Sequence, residues 1–397
     1  MAAMDRPPVR ALAVALVGAA LVSSGCRTSG ASSPSRLSVG AVFSLTGPGG
    51  VYGPQQKQAV ELARDEINAG GGVHGSLLDI TVVDDASDKA QAAQQTERLI
   101  SQEKVLALLG PTLSNSAVAA HPIAAHARTP MMGVSNSGFN IVGPGCTYCD
   151  GWIFRDSVSE AAAIPLTLQH YVDAHHPKGI ALLYPNDDKF SVDGATTLKQ
   201  AAARLGVHLT GEIAFTKAET DLAPYVTKAV QANPDAIFIA SLGGIPAKVM
   251  LTARQLGWNG DFLGGQGFNS AAVSKQAGGA GRGAQSASPF FAGNDSPATV
   301  AFVKAFRGRY GADPDQLAAQ AYTGVRILAD ALARTARTGD LAATRRRLRD
   351  ALAATTIDTP LGPFRFTADH DVKQTVYIVA MDGAGGYSLV ASVPPAS

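Results

Sequence analysis

Residues 107–120 read ALLGPTLSNSAVAA and combine the residue types that can hold a small anion without a fixed cation. A short apolar run ends at Gly110-Pro111, passes Thr112, Ser114 and Asn115, and enters an alanine-rich segment of helical character. The first N–H groups of a helix lack partners within it and carry the positive end of its dipole. Hydroxyls and amides beside them complete an anion cradle. The competing reading is local: Ser114 caps its own helix, as serine in that place commonly does.

The other candidate chemistries narrow quickly. Cys146 and Cys149, in GPGCTYCDGW, have the spacing of half a zinc site, a redox pair or a local disulfide. No second pair completes a zinc site, and a Gly/Pro-rich loop is not the helix start a redox pair uses, so a loop-pinning disulfide is favoured. His121 and His126 stand five apart, which turns them to different sides of a helix, and no acidic third ligand accompanies them. They are expected at the surface or behind a site, and no metal is expected. The glycine-rich turn at residues 46–50 lacks Gly-Lys-Ser/Thr and G-x-G-x-x-G spacing, which argues against nucleotide binding. No G-x-S-x-G elbow supports a secreted hydrolase. The chain is expected to be no enzyme and to need no cofactor.

The N-terminus speaks to location. Arg6 and Arg10 precede an apolar run over residues 11–22, which ends in Ser23-Ser24-Gly25-Cys26. Residues 1–25 therefore read as a secretory signal. A cysteine directly after SSG resembles a bacterial lipoprotein box, departing from it at Ser23 where leucine is usual, and implies lipidation of Cys26. The alternative is a free thiol behind an ordinary cleaved signal. Residues 26–35 form a Ser/Gly/Pro tether with too few apolar side chains to fold. The whole chain of 397 residues is 46% hydrophobic and 16% charged with net charge +1. That suits two globular domains and lacks the positive excess of a nucleic-acid binder. No apolar run reaches the roughly 18 residues of a membrane span.

Strands and helices must position these groups. Strand-like runs at residues 37–45, 77–85, 105–109 and 129–135 alternate with helical patterns, and a second series runs from about residue 158 to 290 with strands at 179–187, 206–215, 235–244 and 261–268. The tail holds helices at residues 297–310 and 317–338, then a basic helix around Arg345, Arg346, Arg347 and Arg349, expected to be a solvated face. Short strands follow at residues 362–366 and 375–382. Alternation with crossovers of this length predicts an α/β fold with two parallel-sheet lobes, and a cleft between such lobes commonly takes a small molecule.

The segments VGAVFSLTGPGGVYG, AVELARDEINAGGGVHG, DITVVDDASDKAQA, LLGPTLSNSA and LTARQLGW follow one another as in the leucine/isoleucine/valine-binding proteins. The chain resembles these type I periplasmic solute-binding components of ABC importers from about residue 36 onward. The resemblance implies two Rossmann-like lobes joined by a three-segment hinge, with crossings near residues 157–159, 292–297 and 358–362. Lobe 1 would hold residues 36–157 and 293–359, and lobe 2 residues 158–292 and 360–397. It implies capture of one small polar or carboxylate ligand, such as a branched-chain amino acid, by hinge closure, and delivery to permease subunits by a monomer held at the membrane through its lipid. A tethered sensor for amides or organic acids is the alternative.

Carried over by position, the family's first-lobe contacts fall on Tyr52, Ser114, Ser135, Asn136 and Ser137, with Asn115 in the same cradle. The second-lobe wall falls on Phe190, near Leu242, and on Gln266, which stands where amino-acid binders carry a carboxylate for the ammonium. Asp187 or Asp188 is the nearest substitute in sequence. An unpaired buried ammonium costs several kcal/mol, of the order given for one desolvated ion, so Gln266 puts the amino acid in question.

Overall fold

The computed structural model describes residues 35–335 and 339–395. The expected signal and Cys26 lie outside the described residues. A first sheet is built from β1 (Arg36–Phe43), β2 (Leu77–Asp84), β3 (Ala107–Leu109), β4 (Met131–Gly133) and β5 (Ile153–Arg155), in the order β2-β1-β3-β4-β5 with every pairing parallel. Its centre is covered on both faces, which is why β1 is a nearly unbroken apolar run ending in Ala41, Val42 and Phe43, all fully buried. Helices α1 (Gly53–Ala69), α2 (Lys89–Ser101) and α3 (Ser114–His126) make the crossovers. Asp88 caps α2 by accepting from the Gln91 N–H at 2.9 Å.

The second lobe repeats the plan. Strands β6 (Ile180–Pro185), β7 (Leu209–Phe215), β8 (Ala236–Ile239), β9 (Asp261–Gly264) and β10 (Gln285–Ser288) pair in parallel, with α4 (Glu160–His175) leading into them and α5 (Lys189–Leu205), α6 (Ala223–Gln231), α7 (Ile245–Gln255) and α8 (Ala271–Ala277) between them. The chain then returns to the first lobe through α9 (Pro297–Tyr310), α10 (Gln316–Ala333) and α11 (Leu341–Ala353), whose Phe302, Phe306, Leu328 and Leu348 share one core with Phe43 and Leu62. A hairpin of β11 (Thr356–Thr359) and β12 (Gly362–Arg365) follows. Finally β13 (Val376–Met381) pairs antiparallel with β10, and β14 (Tyr387–Val393) antiparallel with β13, so this sheet is mixed rather than purely parallel.

In each lobe the second strand of the series lies outside the first, and the third lies on its other side. The order therefore reverses between β1 and β3, and again between β6 and β8. Crevices outside the carboxyl ends of strands at such reversals are where open α/β sheets hold ligands.

Three sequence expectations change. The third crossing does not fall at residues 358–362. Leu361, Phe364 and Phe366 are buried in the first core, His370 stacks on Phe154 at 4.1 Å between centroids, and Asp371 pairs with Arg155. Phe364 on β12 and Phe366 just beyond it need an apolar partner, and Phe154 supplies it 5.1 Å from Phe366. The chain changes lobes only between Val372 and β13. The basic helix is not wholly solvated: Arg346 and Arg347 are exposed, but Arg345 is buried and donates to the Val105 carbonyl at 2.6 and 3.0 Å. His121 is also inside the fold, where burial pushes its pKa down to about 4, while His126 is exposed. Cys146 and Cys149 form a disulfide in the loop between β4 and β5.

Removing Arg345 strips the Val105 carbonyl of a charged donor. Arg345→Ala is expected to lower unfolding stability by about 2 kcal/mol, against less than about 0.5 for Arg346→Ala. Urea midpoints at unchanged slope measure both.

Candidate functional site

The carboxyl ends of β1, β3 and β4 face those of β6, β8 and β9 across a narrow cavity of about 20 Å³ lined by Tyr52, Thr112, Leu113, Ser114, Ser135, Ser137, Phe190, Leu242, Gln266, Gly267, Gln316 and Leu317. That is room for about one water molecule, so the two walls stand nearly in contact. Among the described residues that line it, none carries a charge.

The first-lobe side is a set of donors held in place from behind. Gly110 has φ +97°, and a Cβ there would lie 2.2 Å from the Val42 carbonyl, so only glycine lets β3 turn so close to β1. The turn leads straight into α3, whose first closing bond runs from the Ala117 N–H to the Leu113 carbonyl. Helix geometry leaves the N–H groups of Ser114, Asn115 and Ser116 without helical partners. Leu113 occupies the cap position and no side chain caps the helix, so Ser114 is not spent on that duty. Its Oγ accepts from the Gly138 N–H at 3.1 Å, which leaves the hydroxyl proton free to donate. Thr112 and Ser135 are committed elsewhere: Thr112 Oγ1 donates to Gln56 Oε1 at 2.6 Å, and Ser135 Oγ donates to the Thr112 carbonyl at 2.7 Å while accepting from Gln56 Nε2.

The second-lobe side is apolar with an amide end. Asp188 caps α5 by accepting from the Ser191 N–H at 2.9 Å, and this points Phe190 at the cavity. Gln266 opens a single tight turn after β9. Its Nε2 donates to the Val158 carbonyl at 2.6 Å, and its Oε1 accepts from Gln316 Nε2 at 3.2 Å. Gln316 in turn accepts from Asn269 Nδ2 at 2.7 Å. Behind Gln266 lies Glu160, the first residue of α4, whose Oε1 accepts from the Gln266 backbone N–H at 2.9 Å. Burial pushes the Glu160 carboxyl up to about 7, against the opposing pull of Gln266, Ser137 and the Arg155 charge.

Of the residues expected at the site, the structure gathers Tyr52, Ser114, Ser135, Ser137, Phe190, Leu242 and Gln266 around the cavity. It does not bring Asn115 or Asn136 there. Asn115 reaches across the cleft instead: its Nδ2 donates to Asp188 and its Oδ1 accepts from the Lys189 N–H at 3.0 Å. Asn136 is buried beside the cavity, donating to the Pro111 carbonyl at 2.8 Å. Neither Asp187 nor Asp188 reaches the cavity; Asp187 accepts from the Lys217 N–H at 2.7 Å on the exposed side. Tyr52 lines the cavity with its ring, but its hydroxyl bridges the lobes, accepting from the Gly243 N–H at 2.8 Å and donating to the Gly267 carbonyl at 3.0 Å.

Gln56, Gln316 and Glu160 escaped the sequence reading. A usable signal existed for the first two. Gln56 stands at core spacing with Val60 and Ala63 on α1, and Gln316 pairs at 3.3 Å with Gln320, four residues on, inside the buried stretch of α10. A glutamine at a core position needs partners, which makes it a pointer to a polar site.

The residues from 36 to 386 match the periplasmic binding protein family. The chain belongs to that family. This binding protein is 24% identical over 337 residues to the leucine-, isoleucine-, valine-, threonine- and alanine-binding protein of Pseudomonas aeruginosa, covering 84% of this chain and 87% of that one. Its fold is similar to a leucine-binding protein of Thermotoga maritima at TM-score 0.82 and 22% identity, over 90% and 99% of the two chains. It is equally similar, at TM-score 0.82 and 23% identity over 91% and 97%, to a solute-binding protein of R. palustris solved with benzoate.

The lobes of this binding protein are latched on both rims. Beside the Tyr52 bridge, Ser270 Oγ donates to the Val51 carbonyl at 2.8 Å, and on the opposite rim the Phe139 N–H donates to Asp193 at 2.8 Å. Gly243 has φ +67°, and a Cβ there would come 2.7 Å from the Pro48 carbonyl, so this approach also depends on glycine. Tyr52→Phe removes one hydroxyl from two bonds and is expected to move the open–closed balance toward open by about 1–3 kcal/mol. A larger radius of gyration in solution scattering, at unchanged secondary structure, is the expected readout.

Proposed function

We propose that this chain is the extracytoplasmic solute receptor of an ABC importer, and that it captures a small carboxylate whose remainder carries no charge. The observation that carries this reading is the asymmetry of the cavity. One wall offers Ser114, with its hydroxyl and its place at the start of α3, while the Ser137 hydroxyl is turned to Glu160, and the opposite wall offers Phe190, Leu242 and glutamine amides with no charged side chain among the lining residues. The donors suit a carboxylate. An ammonium at the far end would face Gln266 and Gln316, which can accept hydrogen bonds but cannot neutralise it. Among similar structures, the R. palustris protein was solved with benzoate, and a Streptococcus pneumoniae branched-chain amino acid binder, 25% identical, with isoleucine. The cavity's chemistry favours the first kind of ligand over the second for this chain.

Capture follows from closure. The open first lobe offers the ligand only the α3 cradle. Phe190, Leu242 and Gln266 add their contacts when the lobes meet, so the ligand shifts the balance by its preference for the closed form. No bond is made or broken. Residues 1–25 as a cleaved signal and a lipid on Cys26 would hold the receptor at the outer face of the membrane, and the closed form would be what the permease subunits recognise.

A thermal-shift screen tests the ligand class. Benzoate, 4-hydroxybenzoate and branched aliphatic acids are expected to raise the melting temperature, with leucine and isoleucine giving smaller shifts at equal concentration. A ligand at 100 times its dissociation constant adds about 2.7 kcal/mol. Ser114→Ala should cut the response to every acid. Larger shifts with leucine and isoleucine than with the acids would overturn the carboxylate assignment.

A further inference from the structure

We propose that Glu160 is the positioning residue for the second-lobe wall of the cavity, and that closing the cleft draws a proton from solvent onto its Oε2. This rests on the carboxylate-capture reading for its ligand arm and is independent of it for its closure arm.

Glu160 sits where the first crossing enters the second lobe, at the start of α4, and is fully buried. It touches both lobes. Its Oε1 accepts from the Gln266 backbone N–H at 2.9 Å and the Gln266 Nε2 at 3.5 Å in the second lobe, and from Ser137 Oγ at 3.4 Å in the first. Ser137 and Gln266 both line the cavity, so Glu160 joins the two walls from behind. Its other oxygen, Oε2, is buried without a hydrogen-bond partner and packs on Gly265, where a Cβ would lie only 2.5 Å from it. A carboxylate with one oxygen fully supplied by donors and the other dry is the arrangement a protonated acid suits, since the proton belongs on the unsupplied oxygen.

The groups around it leave that proton in place. Arg155 on β5 is the cation facing it, but its guanidinium is already paired with Asp371. Asp156, four residues earlier, is buried with neither carboxylate oxygen partnered, and burial holds it well above the usual carboxylate range. Tyr52 from α1 feels the Glu160 charge, and burial keeps that phenol neutral. Asp315, which caps α10, is pushed up to about 6 by burial and is a separate titration.

When the lobes part, Ser137 separates from Gln266 and water reaches Glu160, which returns toward an ordinary carboxylate. Closure then binds one proton: it leaves bulk water or buffer and bonds to Oε2, and the site changes from negative to neutral. The closed form holds more protons between the ordinary carboxylate value and about 7. Closure is therefore favoured at the low end of that window and weakens as pH rises through it, by up to tenfold per pH unit for one linked proton. An anionic ligand gains further, because it no longer shares a small uncharged cavity with a second anion behind Gln266.

Two arms test this on the purified protein. Without ligand, solution scattering of the wild type is expected to give a compact particle near pH 5.5 and a more open one near pH 8. Glu160→Gln, neutral at every pH and able to keep the Oε1 contacts, should stay compact throughout. Glu160→Ala should be open throughout, which separates positioning from bulk. With benzoate as probe, calorimetry in phosphate and in Tris at pH 6.5 should report uptake of up to one proton per ligand for wild type and none for Glu160→Gln. Its affinity should fall with rising pH only in the wild type. A wild-type radius that does not change between pH 5.5 and 8 overturns the proposal, and so does the same pH dependence in Glu160→Gln. If benzoate fails to bind while the ligand-free radius follows pH as stated, the proton-linked closure stands and the ligand class assigned above is what falls.

Discussion

Holding an anion in a dry cavity with no cation beside it requires donors that are already aimed, because the desolvated charge cannot wait for side chains to reorganise. The turn from β3 into α3 meets that requirement. Gly110 lets the strand end close to Val42, Leu113 takes the cap position without using a side chain, and Gly138 supplies Ser114 Oγ with a donor so that its proton is left over. Behind it, Gln56, Thr112 and Ser135 satisfy one another. A polar network buried this way is stable only if its members are paired, and the pairing fixes which groups remain for a ligand.

The opposite wall follows a different rule. Asp188 and Asn115 lock the start of α5 against α3, and the Tyr52 hydroxyl spans Gly243 and Gly267. These bonds connect lobes rather than lobe to ligand. Apolar contact does the same work, since Tyr52, Leu113 and Leu317 pack into the core of the second lobe. The closed form is thus held partly by the protein itself, which lets a small ligand with few groups of its own tip the balance.

Much of this was legible in the sequence because it rests on period and turn chemistry. The alternation of strands and helices, the bounds of α3 and α9, and the cavity position of Ser114 follow from local pattern, while those of Ser137 and Phe190 follow from the family resemblance. What escaped depended on tertiary partners. Strand β10 reads QSAS and is a strand only because β9 and β13 flank it, and β5 is three residues long. Asn115 in the turn and Tyr52 from the resemblance are both expected at a ligand, because the sequence does not distinguish a polar group that bonds to a guest from one that bonds to the facing lobe; Asn115 bonds across the cleft, and Tyr52 lines the cavity with its ring while its hydroxyl bridges the lobes. Arg345 passed for a surface charge because nothing in its helix marks the Val105 carbonyl beneath it. Glu160 gave no sign at all, since a glutamate opening a helix is ordinarily a solvated partner of the dipole.

The α3 cradle is read as holding a carboxylate, and the Gln266 side as holding no ammonium. Native mass spectrometry of the protein as purified, followed by a crystal structure of the retained complex, tests it most directly. The expected guest is an acid without an amino group, its carboxylate within about 3 Å of Ser114 Oγ and the first N–H groups of α3. A retained amino acid with its ammonium against Gln266, or an acid turned with its carboxylate toward Phe190, would contradict it.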